Sequence, residues 1–145
     1  MSHGYHQLID GRIFMGSAAD TQDAVDSEGI DVIVDLRAEA TRPEAEGDTF
    51  SWVKIPLGDN APTAEGKLYR QAIDEVVGAY LAGKKVYFHC GMGQGRTGTV
   101  AAGVLLELGQ AADVEDAATK AKLIRPVIKL QPVQKQALEQ IFPRN

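Results

Sequence analysis

Cys90 and Arg96 stand at the two ends of a glycine-rich segment, His89-Cys90-Gly91-Met92-Gly93-Gln94-Gly95-Arg96-Thr97, which pairs one thiol with one guanidinium. That pairing suits the binding of a phosphate and attack upon it. Glycines at 91, 93 and 95 let successive peptide N–H groups approach a dianion without side-chain interference. Arg96 adds a planar fork that can hold two phosphate oxygens at once, which a lysine does not reproduce. Gly91, Met92, Gly93, Gln94 and Gly95, with Arg96, are therefore the expected phosphate cradle. Donors of this kind favour an anion, so Cys90 is expected as the thiolate, the nucleophilic form. Thr97 carries a hydroxyl one residue beyond Arg96, placed to stabilise that thiolate when it departs. Each part also has a plain structural reading, as an inert core cysteine or a topological glycine turn. Their combination in one spacing favours chemistry.

Elements with the right order flank the segment. Lys84 to His89 is β-branched and aromatic and reads as a strand, and Thr97 to Leu108 is rich in Ala and Leu and reads as a helix. The glycines thus lie between a strand end and a helix start, where unpaired N–H groups and the helix dipole favour an anion. Upstream, Gln7 to Gly16 suggests a hairpin about Asp10-Gly11. Ala19 to Gly29 reads as a short helix closed by its glycine, and 31–36 and 51–55 read as strands. Thr63 to Ala82 gives a long amphipathic helix with Leu68, Ala72, Val76 and Tyr80 along one face. Asp113 to Ile124 and Pro132 to Phe142 follow, separated by Arg125-Pro126. The alternation predicts a single α/β domain over residues 1–145, with a central mixed sheet of about four to five strands flanked by helices.

The gross composition narrows the function. At 145 residues with 44% hydrophobic side chains, the chain has material for one core. Its single cysteine excludes an intrachain disulfide and suits a reducing, cytoplasmic setting. The first residues lack a signal-peptide layout, and no apolar run approaches the roughly 18 residues of a membrane span. A net charge of −5 argues against general nucleic-acid or acidic-membrane binding. His3 and His6 have no Cys or carboxylate at ligand spacing, so no metal site is expected.

The segment His89-Cys90-x-x-Gly93-x-x-Arg96-Thr97 resembles the signature loop of the cysteine-based protein tyrosine phosphatase superfamily, and the short chain resembles its small dual-specificity branch. Weaker resemblance runs from Val32–Arg37 through Ile55–Asp59 to Arg125-Pro126. The resemblance implies a double displacement through phosphocysteine, with no metal and no organic cofactor. It implies a phosphorylated protein or small phosphomonoester as partner, and says nothing of oligomeric state. It also calls for a general acid, and Asp59, in Pro56-Leu57-Gly58-Asp59-Asn60-Ala61-Pro62, matches the family position. By itself Asp59 reads as a turn residue; Asp48, in an acidic loop, is its competitor. His89 is expected to support the loop through its backbone and to lend Cys90 partial positive charge.

Two rival classes stand beside the phosphatase. Val34-Asp35-Leu36-Arg37 also resembles a strand of rhodanese-like sulfurtransferases, but that family has four residues between Cys and Arg, where this chain has five followed by Thr. A non-catalytic phosphate-binding module would keep the cradle and lose the chemistry, yet Cys90, Arg96, Thr97 and Asp59 are all present. For substrate, the neutral positions Gly91, Met92 and Gln94 favour phosphoproteins over inositol phosphates or phosphoinositides. Arg37, Arg42, Lys54 and the stretch Lys120 to Lys129 keep the inositol reading open. Trp52 is expected as a core or loop anchor, and Gln131 and Gln134 as helix-start residues with water positioning as the alternative role.

Overall fold

The structure is a computed structural model that describes residues 4–143. His3 lies outside them. Asp10 and Gly11 both take positive φ (41° and 65°), and the Arg12 N–H donates to Ile9 O at 2.8 Å, closing the tight turn that joins β1 (His6–Ile9) to β2 (Ile13–Ser17). A 3-10 turn over Ala18–Asp20 leads into α1 (Thr21–Glu28), which ends at Gly29 in the left-handed conformation. Then come β3 (Val32–Asp35), β4 (Ser51–Lys54), α2 (Gly66–Leu81), β5 (Val86–Cys90), α3 (Gly95–Glu107), α4 (Val114–Ile124) and α5 (Pro132–Ile141).

The strands form one mixed sheet in the order β1-β2-β5-β3-β4, with β1 antiparallel to β2 and the other pairs parallel. β5 is central, so Cys90 ends a strand flanked by Ser17 of β2 and, one position back, by Asp35 of β3 beside His89. This is the carboxyl end of the parallel strands, where α/β sheets bind ligands.

Alternation along the strands divides the interior. Val86, Phe88 and Cys90 of β5 join Ile13, Met15, Val34 and the apolar faces of α2, α3, α4 and α5 in the larger core. Tyr87 points the other way, into a smaller cluster with Phe14, Ile33 and α1 residues Ala24 and Val25. The long helix starts at Gly66 rather than Thr63, because Glu65 adopts a left-handed conformation (φ 55°) at its N-cap. Its buried face is Tyr69, Ala72, Ile73, Val76 and Val77, which leaves Leu68 and Tyr80 at the margin. Among the described residues, no helix is long and apolar enough to cross a membrane.

α2 and α3 approach closely at Gly103. A Cβ there would stand 2.2 Å from Ile73 Cδ1 and 2.7 Å from its Cγ1, inside a filled core. Gly103→Val is therefore expected to destabilise the fold by about 1–3 kcal/mol, the usual cost of overpacking. A urea or guanidinium midpoint measures it, and an unchanged midpoint would show that the helices part without cost.

Candidate active site

Between the end of β5 and the start of α3, the main-chain carbonyls are turned outward, and each has a named partner. Cys90 O lies 2.9 Å from His89 Nδ1, and Gly91 O accepts from Ala18 N at 3.0 Å. Met92 O and Gly93 O accept from Nη2 and Nε of Arg125, at 3.2 and 2.9 Å. Gln94 O accepts from Gly98 N at 3.2 Å and Lys129 N at 3.4 Å. Among the described residues, no N–H of Gly91 to Gly95 donates to a protein acceptor. Fixing the carbonyls outward leaves these donors to the concave side, beside the start of α3.

Arg125, read from the sequence as part of a turn and of the basic stretch 120–129, is 5% exposed and lies beneath the loop. Besides the two loop carbonyls it reaches Gly4 O at 2.5 Å and His6 Nδ1 at 2.9 Å. Burial, and then the Arg125 charge, push the His6 pKa below its ordinary value, as suits a neutral ring accepting from a guanidinium. Gly93 is held against this anchor with φ 73°; a Cβ there would fall 2.5 Å from Arg125 Nη2 and 2.7 Å from Gly16 O. Gly93 is accordingly the one expected cradle residue that does not line the cleft.

The cleft itself, of about 510 Å³, is lined by Cys90, Gly91, Met92, Gln94, Gly95 and Arg96, with Glu39, Asp59, Asn60, Lys129, Gln131 and Gln134. Cys90 is 4% exposed, and Thr97 Oγ1 lies 3.0 Å from its Sγ and 3.4 Å from Gly16 O. Arg96 Nη1 donates to Leu57 O (3.0 Å), and the Nη1 and Nη2 groups hold the two oxygens of Glu39, each at 2.9 Å. Its Nε–H and the second Nη2–H have no protein acceptor among the described residues, and Nη2 lies 3.8 Å from where a Cβ on Gly91 would be. One edge of the fork is thus clamped and the other faces the loop. The hydrogen bonds from Arg96 hold the Glu39 carboxyl down at about 2. Although burial works against the Arg96 cation, Glu39 and the nearby anions more than offset it and raise its pKa.

Glu39 was not legible as a site residue. The signal that could have found it is topological: β3 neighbours β5, so the loop after Asp35 must lie beside the loop after His89.

Asp59 lines the cleft from the loop between β4 and α2. The base of that loop is held by Glu65, whose carboxylate accepts from Gly58 N at 3.2 and 3.4 Å. Its far side is tied to the start of α5, where Gln131 Nε2 donates to Asn60 Oδ1 at 2.6 Å. Gln131 and Gln134 do act at the helix start, since Gln131 N donates to Gln134 Oε1 at 2.8 Å, and both also line the cleft. Asp48 is exposed and is not among the lining residues.

On the opposite sheet face, His89 is fully buried and stacks on Tyr87 with ring centroids 5.6 Å apart. A carbonyl only accepts, so Nδ1 carries the proton toward Cys90 O. Nε2 has no hydrogen-bond partner and stands 3.8 Å from Asp35 Oδ2. Burial pushes the imidazole pKa down, against the pull of Asp35, and so favours the neutral ring, whose Nδ1–H dipole points at Cys90 O. Its link to the loop is the backbone bond.

Arg37 and Trp52 also belong to this face. Arg37 pairs in fork fashion with both oxygens of Asp35 (2.9 Å each) and with Glu44, and Trp52 Nε1 donates to Asp35 Oδ2 at 3.1 Å. Burial raises the Asp35 pKa, but these partners prevail and hold it below the ordinary value. Neither Arg37 nor Trp52 lines the cleft. Lys54 donates to Ala40 O (2.7 Å), Lys120 to Gln110 O (2.9 Å) and Lys122 to Ile128 O (3.0 Å). Of the basic residues outside the loop that the sequence left open, only Lys129 reaches the cleft. Among the described residues no cluster of three His, Cys, Asp or Glu could hold a metal ion.

Comparison with known proteins adds a family. Residues 11–110 match the family described as Tc-R-P, polymorphic toxin system, DSP-PTPase phosphatase. No curated protein shows a significant match. Among solved structures, DUSP15 superimposes with a TM-score of 0.84 at 19% identity, covering 97% of this chain and 88% of that one. Human DUSP28 gives 0.81 at 18% identity, covering 99% and 98%. PTPMT1 in complex with PI(5)P gives 0.78 at 18% identity, covering 94% and 93%. These likenesses are of fold.

The buried groups set an acid limit on stability. His89 and His6 have lowered folded pKa values, so the unfolded chain takes up their protons first, and stability present above about pH 6.5 is lost below it. Asp35, also lowered, adds a second loss as pH falls below about 4. The urea midpoint should be level near neutrality and fall from about pH 6.5, with the first step reduced in His89→Gln. A midpoint flat to about pH 5 would contradict the buried neutral ring.

Proposed function

Because the chain belongs to this dual-specificity-type phosphatase family, within the cysteine-based protein tyrosine phosphatase superfamily, it is a phosphoric monoester hydrolase, and we propose that it works through a phosphocysteine on Cys90. The supporting observation is that the N–H groups of residues 91–95 have no protein acceptor among the described residues, while every carbonyl of residues 90–94 is bonded elsewhere. The loop and the open edge of Arg96 hold the three terminal oxygens of the phosphoryl group. The thiolate attacks phosphorus, a P–S bond forms, and the ester P–O bond breaks as Asp59 gives its proton to the departing oxygen. Water then attacks the phosphocysteine, Asp59 takes up the water's proton, and the sulfur leaves as thiolate. The Thr97 hydroxyl, 3.0 Å from Sγ, stabilises that leaving group. These steps call on no metal and no organic cofactor. Glu39 is a positioning residue that clamps Arg96 with its phosphate edge toward the loop.

The substrate reading is a phosphoprotein, phosphorylated on tyrosine or on serine and threonine. The charge of the cleft supports it: among the described residues Arg96 and Lys129 are its only lining cations, and Glu39 and Asp59 line it with them. A densely phosphorylated inositol would bring anions against both carboxylates, within the roughly 8 Å over which charges act at physiological salt. A panel of phosphopeptides, phosphoinositides and soluble inositol phosphates at fixed ionic strength is expected to favour the peptides by kcat/KM. A winning inositol phosphate would overturn this reading.

Two further outcomes follow from the mechanism. Cys90→Ser should abolish turnover while still binding phosphate, and chelators should leave the wild-type rate unchanged; hydrolysis by Cys90→Ser or loss of activity with a chelator would sink the mechanism. Asp59→Ala should slow esters of poor leaving groups by about 10²–10⁴, and activated aryl esters far less, with loss of the basic limb of the pH profile. An equal loss on both ester types would make Asp59 structural.

A further inference from the structure

Lys129 occupies the edge where the catalytic cleft meets a second groove of about 240 Å³, and its side chain lines both. Its own N–H donates to Gln94 O, which ties its position to the phosphate loop. The neighbouring cations all have protein acceptors: Lys122 holds Ile128 O, Lys135 lies 3.3 Å from Glu115, Lys120 lies 3.1 Å from Asp116, and Arg125 is buried under the loop. The Lys129 ammonium has none among the described residues. The same cleft is lined by Glu39, whose carboxylate is bonded to Arg96, and by Asp59. Beside the phosphate loop the cleft therefore offers an anion one cation, Lys129, that no group among the described residues already holds.

That unheld cation selects among substrates, given the reading of this cleft as the catalytic site. We propose that Lys129 is a specificity-determining residue that binds a second anionic group beside the phosphate being hydrolysed, and that the preferred substrates are phosphopeptides with an acidic side chain next to the phosphorylated residue. One extra carboxylate on the α4–α5 side meets Lys129 at the edge of the groove beyond it, where Lys122 and Lys135 are already held by Ile128 O and by Glu115, which lines the groove too. Several further anions, as on a highly phosphorylated ring, would also meet Glu39 and Asp59, which line the same cleft. A single flanking charge matches the single unheld cation. Lys120 and Lys122 are anchored to their own helix surroundings, so the basic stretch of the sequence reduces to one residue at the cleft.

The test is a ratio. Two phosphotyrosine peptides that differ only in flanking Glu against Gln are compared by kcat/KM in the wild type, Lys129→Ala and Lys129→Glu, at two ionic strengths. The wild type should prefer the acidic peptide by up to about fivefold at low salt, the range an exposed ion pair supplies, with the difference in KM. The preference should fall to about one in Lys129→Ala, reverse in Lys129→Glu, and shrink with salt. Because each variant is its own reference, a general loss of activity cancels. Equal use of both peptides by the wild type, or a preference that survives in Lys129→Ala, would overturn the proposal. A gain for a small bisphosphate over its monophosphate, with none for the acidic peptide, would overturn the assignment to peptides. Failure of the wild type to hydrolyse even an activated aryl phosphate would instead overturn the phosphatase reading on which the proposal rests.

Discussion

Five consecutive carbonyls, from Cys90 to Gln94, point away from the cleft, and the site depends on that constraint. A peptide cannot turn its oxygen outward without turning its N–H the other way, so each outer hydrogen bond also sets an inner donor. Arg125 contributes two of these bonds from a buried position, and Ala18, His89, Gly98 and Lys129 supply the rest. The donors come from widely separated parts of the chain. The cradle is consequently a tertiary object, although its glycines are contiguous.

The sheet keeps two kinds of chemistry apart. Cys90 faces the larger core and the start of α3, where Thr97 and Arg96 can reach its sulfur and the cleft above it. His89, one residue earlier, faces the opposite layer with Tyr87, Asp35, Arg37 and Trp52. The buried ion pair there holds the end of β3, and so the loop that carries Glu39 to Arg96. Breaking such a pair by removing one partner leaves an uncompensated buried charge, at a cost of about 3–5 kcal/mol. The catalytic face is thereby spared a charged histidine, and the opposite face fixes the geometry.

Much of this was legible in the residues themselves. The Asp10-Gly11 turn, the β-branched strands at 32–35 and 86–90, and the helix closed by Gly29 follow from local preferences, and the structure has them within a residue or two. The glycine spacing around Cys90 pointed to the cleft because its geometry is mostly backbone. Glu39 was not legible as a site residue, and Arg125 and Lys129 were legible only as members of the basic stretch 120–129, since their roles depend on which loops the strand order brings together. His89 meets the loop through its Nδ1–H on Cys90 O rather than through a side chain beside the sulfur. Alternation along a strand sends 89 and 90 to opposite faces, and the buried side of that sheet favours a neutral ring. The early helix start at Thr63 failed on Glu65, a non-glycine residue in a left-handed turn that no periodicity announces.

The central claim is that the inward N–H groups serve a thiolate that becomes covalently phosphorylated. Acid quenching of a phosphomonoester reaction within one turnover, followed by mass spectrometry of the peptides, tests it most directly. The account predicts one phosphoryl group, mapped to Cys90, which appears and decays with turnover. Phosphorylation at another residue, or steady turnover with Cys90 never modified, would contradict it.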